Sequence, residues 1–244
     1  MRGSEYRAGV NRGLPVGMGY FSVSFGFGAM AVSQGLGAWD AALISLTNMT
    51  SAGQFAGLTV IVAAASLWEM VLTQLIINSR YALMSLALSQ RMGQRIGLLP
   101  RLLIAFFNTD EIFALAMSRT EPLTLPYMLG LGTLPILGWT LGTVSGAVAS
   151  GLLNAAVRSA LGVALYSMFV AIVVPPMRQL KSVRIVVAAA VIVSCLIAWV
   201  PLFKFISSGF AIILSTLAAA ALGAWLFPVD LADEEPAEKQ EASA

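Results

Sequence analysis

Eight long apolar runs, separated by short polar joints, constrain the fold of this 244-residue sequence more than any other feature. They are Leu14 to Leu36, Ala41 to Ala65, Leu67 to Leu88, Leu102 to Ser118, Leu123 to Leu152, Ala160 to Pro175, Val183 to Val200 and Phe205 to Phe227. Apolar runs of this length are typical of transmembrane helices. The sequence therefore predicts an all-α, polytopic integral membrane protein with seven or eight transmembrane helices.

The composition excludes several other classes of protein. Hydrophobic residues make up 58% of the chain and charged residues 11%, whereas a soluble domain carries roughly a quarter charged residues. Histidine is absent, which removes the commonest proton shuttle and metal ligand, so no metal or cofactor is expected. The net charge of +2 is too small to indicate nucleic-acid binding, and the single cysteine, Cys195, permits no intramolecular disulfide.

Two domains of very different character are predicted. Residues 1–228 form a single transmembrane domain, and residues 229–244 form an acidic tail with a single lysine, which we expect to be disordered. Within the transmembrane domain, tryptophans near the ends of apolar runs are interpreted as interfacial anchors. These are Trp68, Trp139, Trp199 and Trp225.

The distribution of basic residues predicts interrupted helices. Clusters occur at the N-terminus, at Arg91, Arg95 and Arg101, and at Arg178, Lys181 and Arg184. The positive-inside rule places all three in the cytoplasm, which requires an even number of crossings between successive clusters. Three apolar runs lie in each interval. Either one run per interval is broken or re-entrant, which we favour because polar residues interrupt the runs, or one loop ignores the rule.

The first two runs contain unusual small and polar residues. Glycines between Gly13 and Gly28 predict close helix packing or, alternatively, a glycine-lined pathway. In the second run Asn48, Thr50, Ser51 and Gln54 predict an unwound segment that lines a polar cavity. The alternative is a helix whose polar groups bind neighbouring helices. A possible internal repeat relates residues 28–31 to residues 146–149.

Charged residues in the third and fourth runs are the strongest functional candidates. Asn78, Arg80 and Tyr81 lie in the third run, where a guanidinium must meet an acid, carbonyl groups or water. Asp110 and Glu111 are adjacent and point about 100° apart on a helix, so they face different partners. We predict that one acid pairs with Arg80 and the other serves the substrate or a proton. Alternatively, Arg80 snorkels to the interface, or the second acid lies in a loop.

These motifs together resemble the AzlC family of bacterial inner-membrane subunits that export branched-chain amino acids. The resemblance rests on Gly17 to Gly28, Ser51 to Phe55, Ile77 to Tyr81 and Thr109 to Glu111, and it extends to about Gly142. It implies a multi-pass protein of the bacterial inner membrane, a small four-helix partner of the AzlD type, and proton-coupled export of valine, leucine, isoleucine or methionine.

Two binding modes and several functions remain open at this point. An amino acid could use Arg80, one of the two acids and aliphatic helices, or it could bind the unwound backbone of residues 47–54 while Arg80 pairs with an acid. The favoured function is a secondary transporter subunit without catalytic residues. Alternatives are transport of another small solute, a subunit of a multi-component permease and, least expected, an intramembrane enzyme.

Overall fold

The structure is a computed structural model that describes residues 2–92, 96–152, 156–157, 170 and 173–228. The regular structure within these ranges is entirely helical, and no strand occurs in them. Among the described residues, five helices are long and apolar enough to cross a membrane: Gly3–Ser33, Leu67–Arg91, Leu125–Ala149, Lys181–Trp199 and Ser208–Leu226. The predicted polytopic all-α membrane fold is confirmed.

The chain forms two compact units, Met1–Ala171 and Ile172–Ala244. The first unit contains α1 (Arg2–Ser33), α2 (Ala38–Thr47), α3 (Ala52–Val62), α4 (Leu67–Arg91), α5 (Leu98–Phe107), α6 (Asp110–Met117) and α7 (Leu125–Ala149). The second contains α8 (Lys181–Trp199), a 3-10 turn (Pro201–Phe203) and α9 (Ser208–Leu226). All of the predicted site residues lie in the first unit.

Helices α1 and α7 pack in parallel along glycine-rich faces. A Cβ atom at Gly17 would lie 2.7 Å from the Leu134 carbonyl oxygen, and one at Gly28 would lie 2.8 Å from the Ala147 nitrogen. Small residues allow such a close approach of two backbones. The packing interpretation of these glycines is therefore confirmed, whereas Gly19 has no atom within 4 Å of its Cβ position. The internal repeat stays a prediction.

Helices α2 and α3 form a re-entrant hairpin, called hairpin A (residues 38–62). Its two arms are joined by residues 48–51, called tip A. The α2 arm contacts α7 through Ser45 Oγ, which lies 2.6 Å from Thr143 Oγ1. After tip A, Leu58 of α3 joins the buried cluster that contains Ala41 of α2 and Ala147 of α7. Both arms therefore lie at the end of the unit where α1 and α7 end.

Helices α5 and α6 form a second re-entrant hairpin, called hairpin B (residues 98–117). It is interrupted at residues 108–109, called tip B. Near its start, Arg101 donates a hydrogen bond to Ser89 of α4. At its end, the Met117 carbonyl accepts a bond of 2.8 Å from Arg91, the last residue of α4. Both ends of hairpin B therefore lie beside the C-terminus of α4.

The two hairpins enter from opposite ends of the unit. Arg119, which follows hairpin B, pairs at 3.0 Å with Glu5 near the start of α1. Because α1 and α4 cross whereas hairpin A returns, the N-terminal cluster and Arg91 lie at the same end. The predicted interruption in the first interval is therefore confirmed. Hairpin B is the corresponding interruption in the second interval.

Seven of the eight predicted runs are described, as five long helices and two interrupted hairpins. Most of the run from Ala160 to Pro175 lies outside the described residues, as do Arg95 and the acidic tail of residues 229–244. One aromatic assignment was wrong, because Trp139 is a buried residue of α7 and not an interfacial anchor. Its indole N–H has a protein partner, which makes burial tolerable.

Candidate functional site

Tip A is closed by its own polar side chains. Asn48 Oδ1 accepts hydrogen bonds from the backbone nitrogen of Thr50 at 3.0 Å and from Thr50 Oγ1 at 2.6 Å. Ser51 follows with a positive φ of 32°, at the start of α3. Asparagine and threonine side chains compete with the helical backbone for hydrogen bonds in this way. The density of polar residues that predicted the break is therefore its physical cause.

Helix α4 contacts hairpin A just after tip A through two amide side chains. Gln74 Nε2 donates to the Gly53 carbonyl at 2.8 Å, and Asn78 Nδ2 donates to Gln74 Oε1 at 3.0 Å. A Cβ at Gly53 would lie 2.8 Å from Gln74 Oε1, so glycine permits this close contact. The sequence analysis missed Gln74, although its spacing of four residues from Asn78 places both on one face of α4.

Gln54 is held among neighbouring helices. Its Nε2 donates to Ser45 Oγ at 2.5 Å, and its Oε1 accepts from Trp139 Nε1 at 2.9 Å. The side chain is only 1% exposed. For this residue the geometry favours the alternative interpretation, in which a polar group binds neighbouring helices and does not line a cavity.

Tip B is bound by α1 and α4. Tyr20 Oη of α1 is hydrogen-bonded to Thr109 Oγ1 at 2.6 Å and donates to Glu111 Oε2 at 2.5 Å. Asn108 is buried, and its Nδ2 lies 3.4 Å from Ser85 Oγ of α4. The sequence analysis selected neither Tyr20 nor Asn108, because their partners are distant in sequence.

The two adjacent acids face different partners. Asp110 Oδ2 lies 2.7 Å from Arg80 Nη1, and this guanidinium also donates through Nη2 to Tyr81 Oη at 3.3 Å. Glu111 is bound instead to Tyr20. Both members of the Arg80–Asp110 pair are about half exposed on the isolated chain, with side-chain exposures of 46% and 42%. The structure therefore contains an ion pair between Arg80 and one of the two adjacent acids, as the sequence predicted.

The two hairpins are connected through aromatic residues in the middle of α1 and α7. The rings of Tyr20 and Trp139 meet edge to face, with 5.3 Å between their centroids. Tyr20 binds hairpin B and Trp139 binds Gln54 of hairpin A. Met49 of tip A belongs to the same buried cluster as both rings. Both tips therefore reach the centre of the unit, with α4 beside them.

Comparison with known sequences places the chain in a family. A family model described as "AzlC protein" matches residues 15–153, which is more than half of the chain. The chain belongs to the AzlC family.

Among its relatives is inner membrane protein YgaZ of Escherichia coli, 29% identical over 76% of this chain and 78% of the relative. An uncharacterized membrane protein of Archaeoglobus fulgidus is 28% identical over 72% of this chain and 78% of its own. A shorter match of 35% identity covers 40% of this chain and 42% of an uncharacterized membrane protein of Helicobacter pylori. No solved structure matches. This AzlC-family chain is a multi-pass membrane protein, and its relatives support a transporter type of function.

The segment matched by the AzlC model begins in α1 and ends just after α7, so it contains both hairpins. Four buried side-chain atoms of tip A, tip B and α4 have no hydrogen-bond partner within the described part of the chain. They are Ser51 Oγ, Thr73 Oγ1, Asn78 Oδ1 and Asn108 Oδ1. Most buried polar atoms in proteins are hydrogen-bonded. Atoms of this kind are candidates for contact with a polar ligand or water.

Proposed function

We propose that this chain is the large subunit of a secondary transporter that exports branched-chain or similar apolar amino acids across the bacterial inner membrane. The observation that carries the proposal is the pair of re-entrant hairpins, which enter from opposite ends and bring polar tips to the centre of the unit. Discontinuous helices with polar breaks at mid-membrane commonly form the binding sites of secondary transporters. The Escherichia coli relative is named an inner membrane protein, which supports the proposed location.

We propose that the substrate binds beside α4, against hairpin A. Arg80 is already paired with Asp110, which favours the mode in which the amino acid uses the unwound segment. The first turn of α3 offers the positive end of a helix dipole to the substrate carboxylate. Asn78 Oδ1 and Ser51 Oγ are available to the ammonium group. The aliphatic side chain contacts Met49 and the apolar cluster around it.

Glu111 is the proposed proton carrier. Asp110 is neutralised by Arg80, whereas Glu111 has a tyrosine hydroxyl as its partner and no cation bound to it among the described residues. A carboxyl group without a countercharge can take up and release a proton during a transport cycle. Asp110 then has a structural role, which is to fix hairpin B to α4 through Arg80.

A small membrane protein of the AzlD type is the proposed partner. The Arg80–Asp110 pair is about half exposed, and apolar side chains of α4, including Leu75, Leu83 and Leu86, are exposed as well. An ion pair that faces lipid is costly. Coverage by a second membrane protein would remove that cost. We propose no enzymatic activity and no cofactor for this chain.

An efflux measurement tests the proposal. The chain is expressed with a small membrane protein encoded beside it, in cells loaded with an isoleucine dipeptide, and release of free isoleucine is measured. Glu111→Gln should lower efflux at least about tenfold at equal membrane abundance, since removal of a group needed in every cycle affects turnover directly. Glu121→Gln is the control, because Glu121 is an exposed acid after hairpin B. No efflux above vector from the inserted complex would contradict the branched-chain assignment.

A further inference from the structure

Tyr20 occupies a special position in α1. It is buried, and its hydroxyl contacts Thr109 of tip B and Glu111 of α6. Its ring packs edge to face with that of Trp139, whose indole N–H is bound to Gln54 of hairpin A. Tyr20 is therefore the residue through which Glu111 contacts the remainder of the central cluster.

We propose that Tyr20 is the positioning residue of Glu111, which it holds in one place in both protonation states of the carboxyl group. This inference rests on the proposed role of Glu111 as proton carrier. It assigns to Tyr20 the function of keeping the acid at the centre of the unit while its charge changes during the transport cycle.

The chemistry of a phenol hydroxyl suits this role. When Glu111 is ionised, Tyr20 donates its proton to Oε2 and accepts a hydrogen bond from the Thr109 hydroxyl. When Glu111 is protonated, the carboxyl group donates to Tyr20 Oη, and Tyr20 donates to Thr109 Oγ1. The two states differ by one proton, which remains on the carboxyl group. No heavy atom has to move between the ionised and protonated states, because a hydroxyl group can both donate and accept a hydrogen bond.

Separation of the two neighbouring acids strengthens the inference. Asp110 cannot replace Glu111 at Tyr20, because Asp110 is bound to Arg80 on α4. Glu111 has no side-chain hydrogen bond other than that from Tyr20 in the part of the chain that the structure describes. Loss of the Tyr20 hydroxyl therefore leaves Glu111 without a fixed position, while the ring contact with Trp139 can remain.

The first test is spectroscopic and does not depend on transport. Acid–base infrared difference spectra are recorded on the full chain in lipid nanodiscs, and the carboxyl band of Glu111 is identified by its loss in Glu111→Gln. In Tyr20→Phe this band should shift, because a protonated carboxyl group loses its acceptor. Tyr6→Phe is the matched control, since Tyr6 is a tyrosine of the same helix whose Oη lies 3.0 Å from Thr133 Oγ1 of α7 and does not bond to Glu111. An unchanged band in Tyr20→Phe would overturn the proposal.

The second test separates positioning from folding. Net efflux needs release of the proton in each cycle, whereas exchange of labelled for unlabelled amino acid does not. Tyr20→Phe should lower net efflux about tenfold, as expected for loss of one hydrogen bond to a charged group, and lower exchange less than about twofold. Equal loss of both activities would show a merely structural role and overturn the proposal. If Tyr20→Phe shows the band shift but the wild-type chain exports no amino acid, the proposed function is contradicted while the positioning of Glu111 by Tyr20 stays supported.

Discussion

Nη1 of Arg80, in α4, lies 2.7 Å from Oδ2 of Asp110, which is the first residue of α6. This ion pair fixes hairpin B to α4, the helix whose Gln74 also donates a hydrogen bond to Gly53 of hairpin A, just after tip A. Helix α4 therefore contacts both hairpins near their polar ends. The pair determines where the carboxylate of Asp110 lies and leaves Glu111 free to face α1.

Removal of one member of the pair should destabilise the protein more than removal of both. Arg80→Gln or Asp110→Asn leaves a charge without its partner, at an expected cost of about 2 kcal/mol. The double variant leaves no uncompensated charge and should recover much of the loss. The stability of the variants is measured by thermal unfolding, with size-exclusion chromatography as the readout of folded protein. Additive losses in the double variant would contradict the pairing.

The contact between α1 and α7 should tolerate no side chain at Gly28. A Cβ there would lie 2.8 Å from the Ala147 nitrogen and closer still to the Thr143 carbonyl, so Gly28→Ala should cost about 2 kcal/mol or more. Gly19→Ala is the matched control on the same helix, with open space at its Cβ position. It should be neutral or stabilising by up to about 1 kcal/mol, because alanine favours helices. Equal melting temperatures of the two variants would contradict the packing.

Substitution of Gln54 separates a structural role from a binding role. Gln54→Leu leaves Trp139 Nε1 and Ser45 Oγ without their present partner, and it should cost about 2 kcal/mol of stability. The apparent affinity for substrate should change little. A stable variant with strongly weakened substrate affinity would show instead that Gln54 lines the pathway.

Accessibility of engineered cysteines tests the re-entrant topology. In a Cys195→Ser background, cysteines at Gln34 and Ala63 flank hairpin A, and cysteines at Gly97 and Thr120 flank hairpin B. An impermeant thiol reagent should label the first pair from one side of the membrane and the second pair from the other. Labelling of the two members of a pair from opposite sides would show that the corresponding hairpin crosses the membrane.

The sequence was sufficient to predict the architecture that depends on local composition and charge. Asn48, Thr50 and Ser51 interrupt an apolar run, and their competition with backbone hydrogen bonds breaks the helix where it was predicted to break. Counting of basic clusters predicted one interrupted run in the first interval, and hairpin A is that run. In the second interval hairpin B is interrupted, but the number of crossings stays a prediction because most of the run from Ala160 to Pro175 lies outside the described residues. The predicted breaks follow from the cost of polar residues in the bilayer.

Long-range partnerships could not be predicted in the same way. Tyr20 and Glu111 are separated by 91 positions, and nothing in the sequence around Tyr20 distinguishes it from a lipid-facing aromatic residue. Trp139 resembles an interfacial anchor in sequence for the same reason, although it is buried and bonds to Gln54. The adjacency of Asp110 and Glu111 showed that two partners were needed, but the helix geometry alone did not identify which acid binds Arg80.

Substrate protection of a cysteine at tip A tests the central claim most directly. Ser51→Cys in the Cys195→Ser background is labelled with a small thiol reagent in proteoliposomes, with and without leucine, and Ser79→Cys on the exposed face of α4 is the control. If the amino acid binds beside α4 against hairpin A, leucine should slow labelling at Ser51→Cys at least about fivefold at saturating concentration, because a bound ligand covers the thiol. Labelling at Ser79→Cys should not change. Equal labelling of Ser51→Cys with and without leucine, in a complex that exports leucine, would contradict the placement of the substrate at this tip.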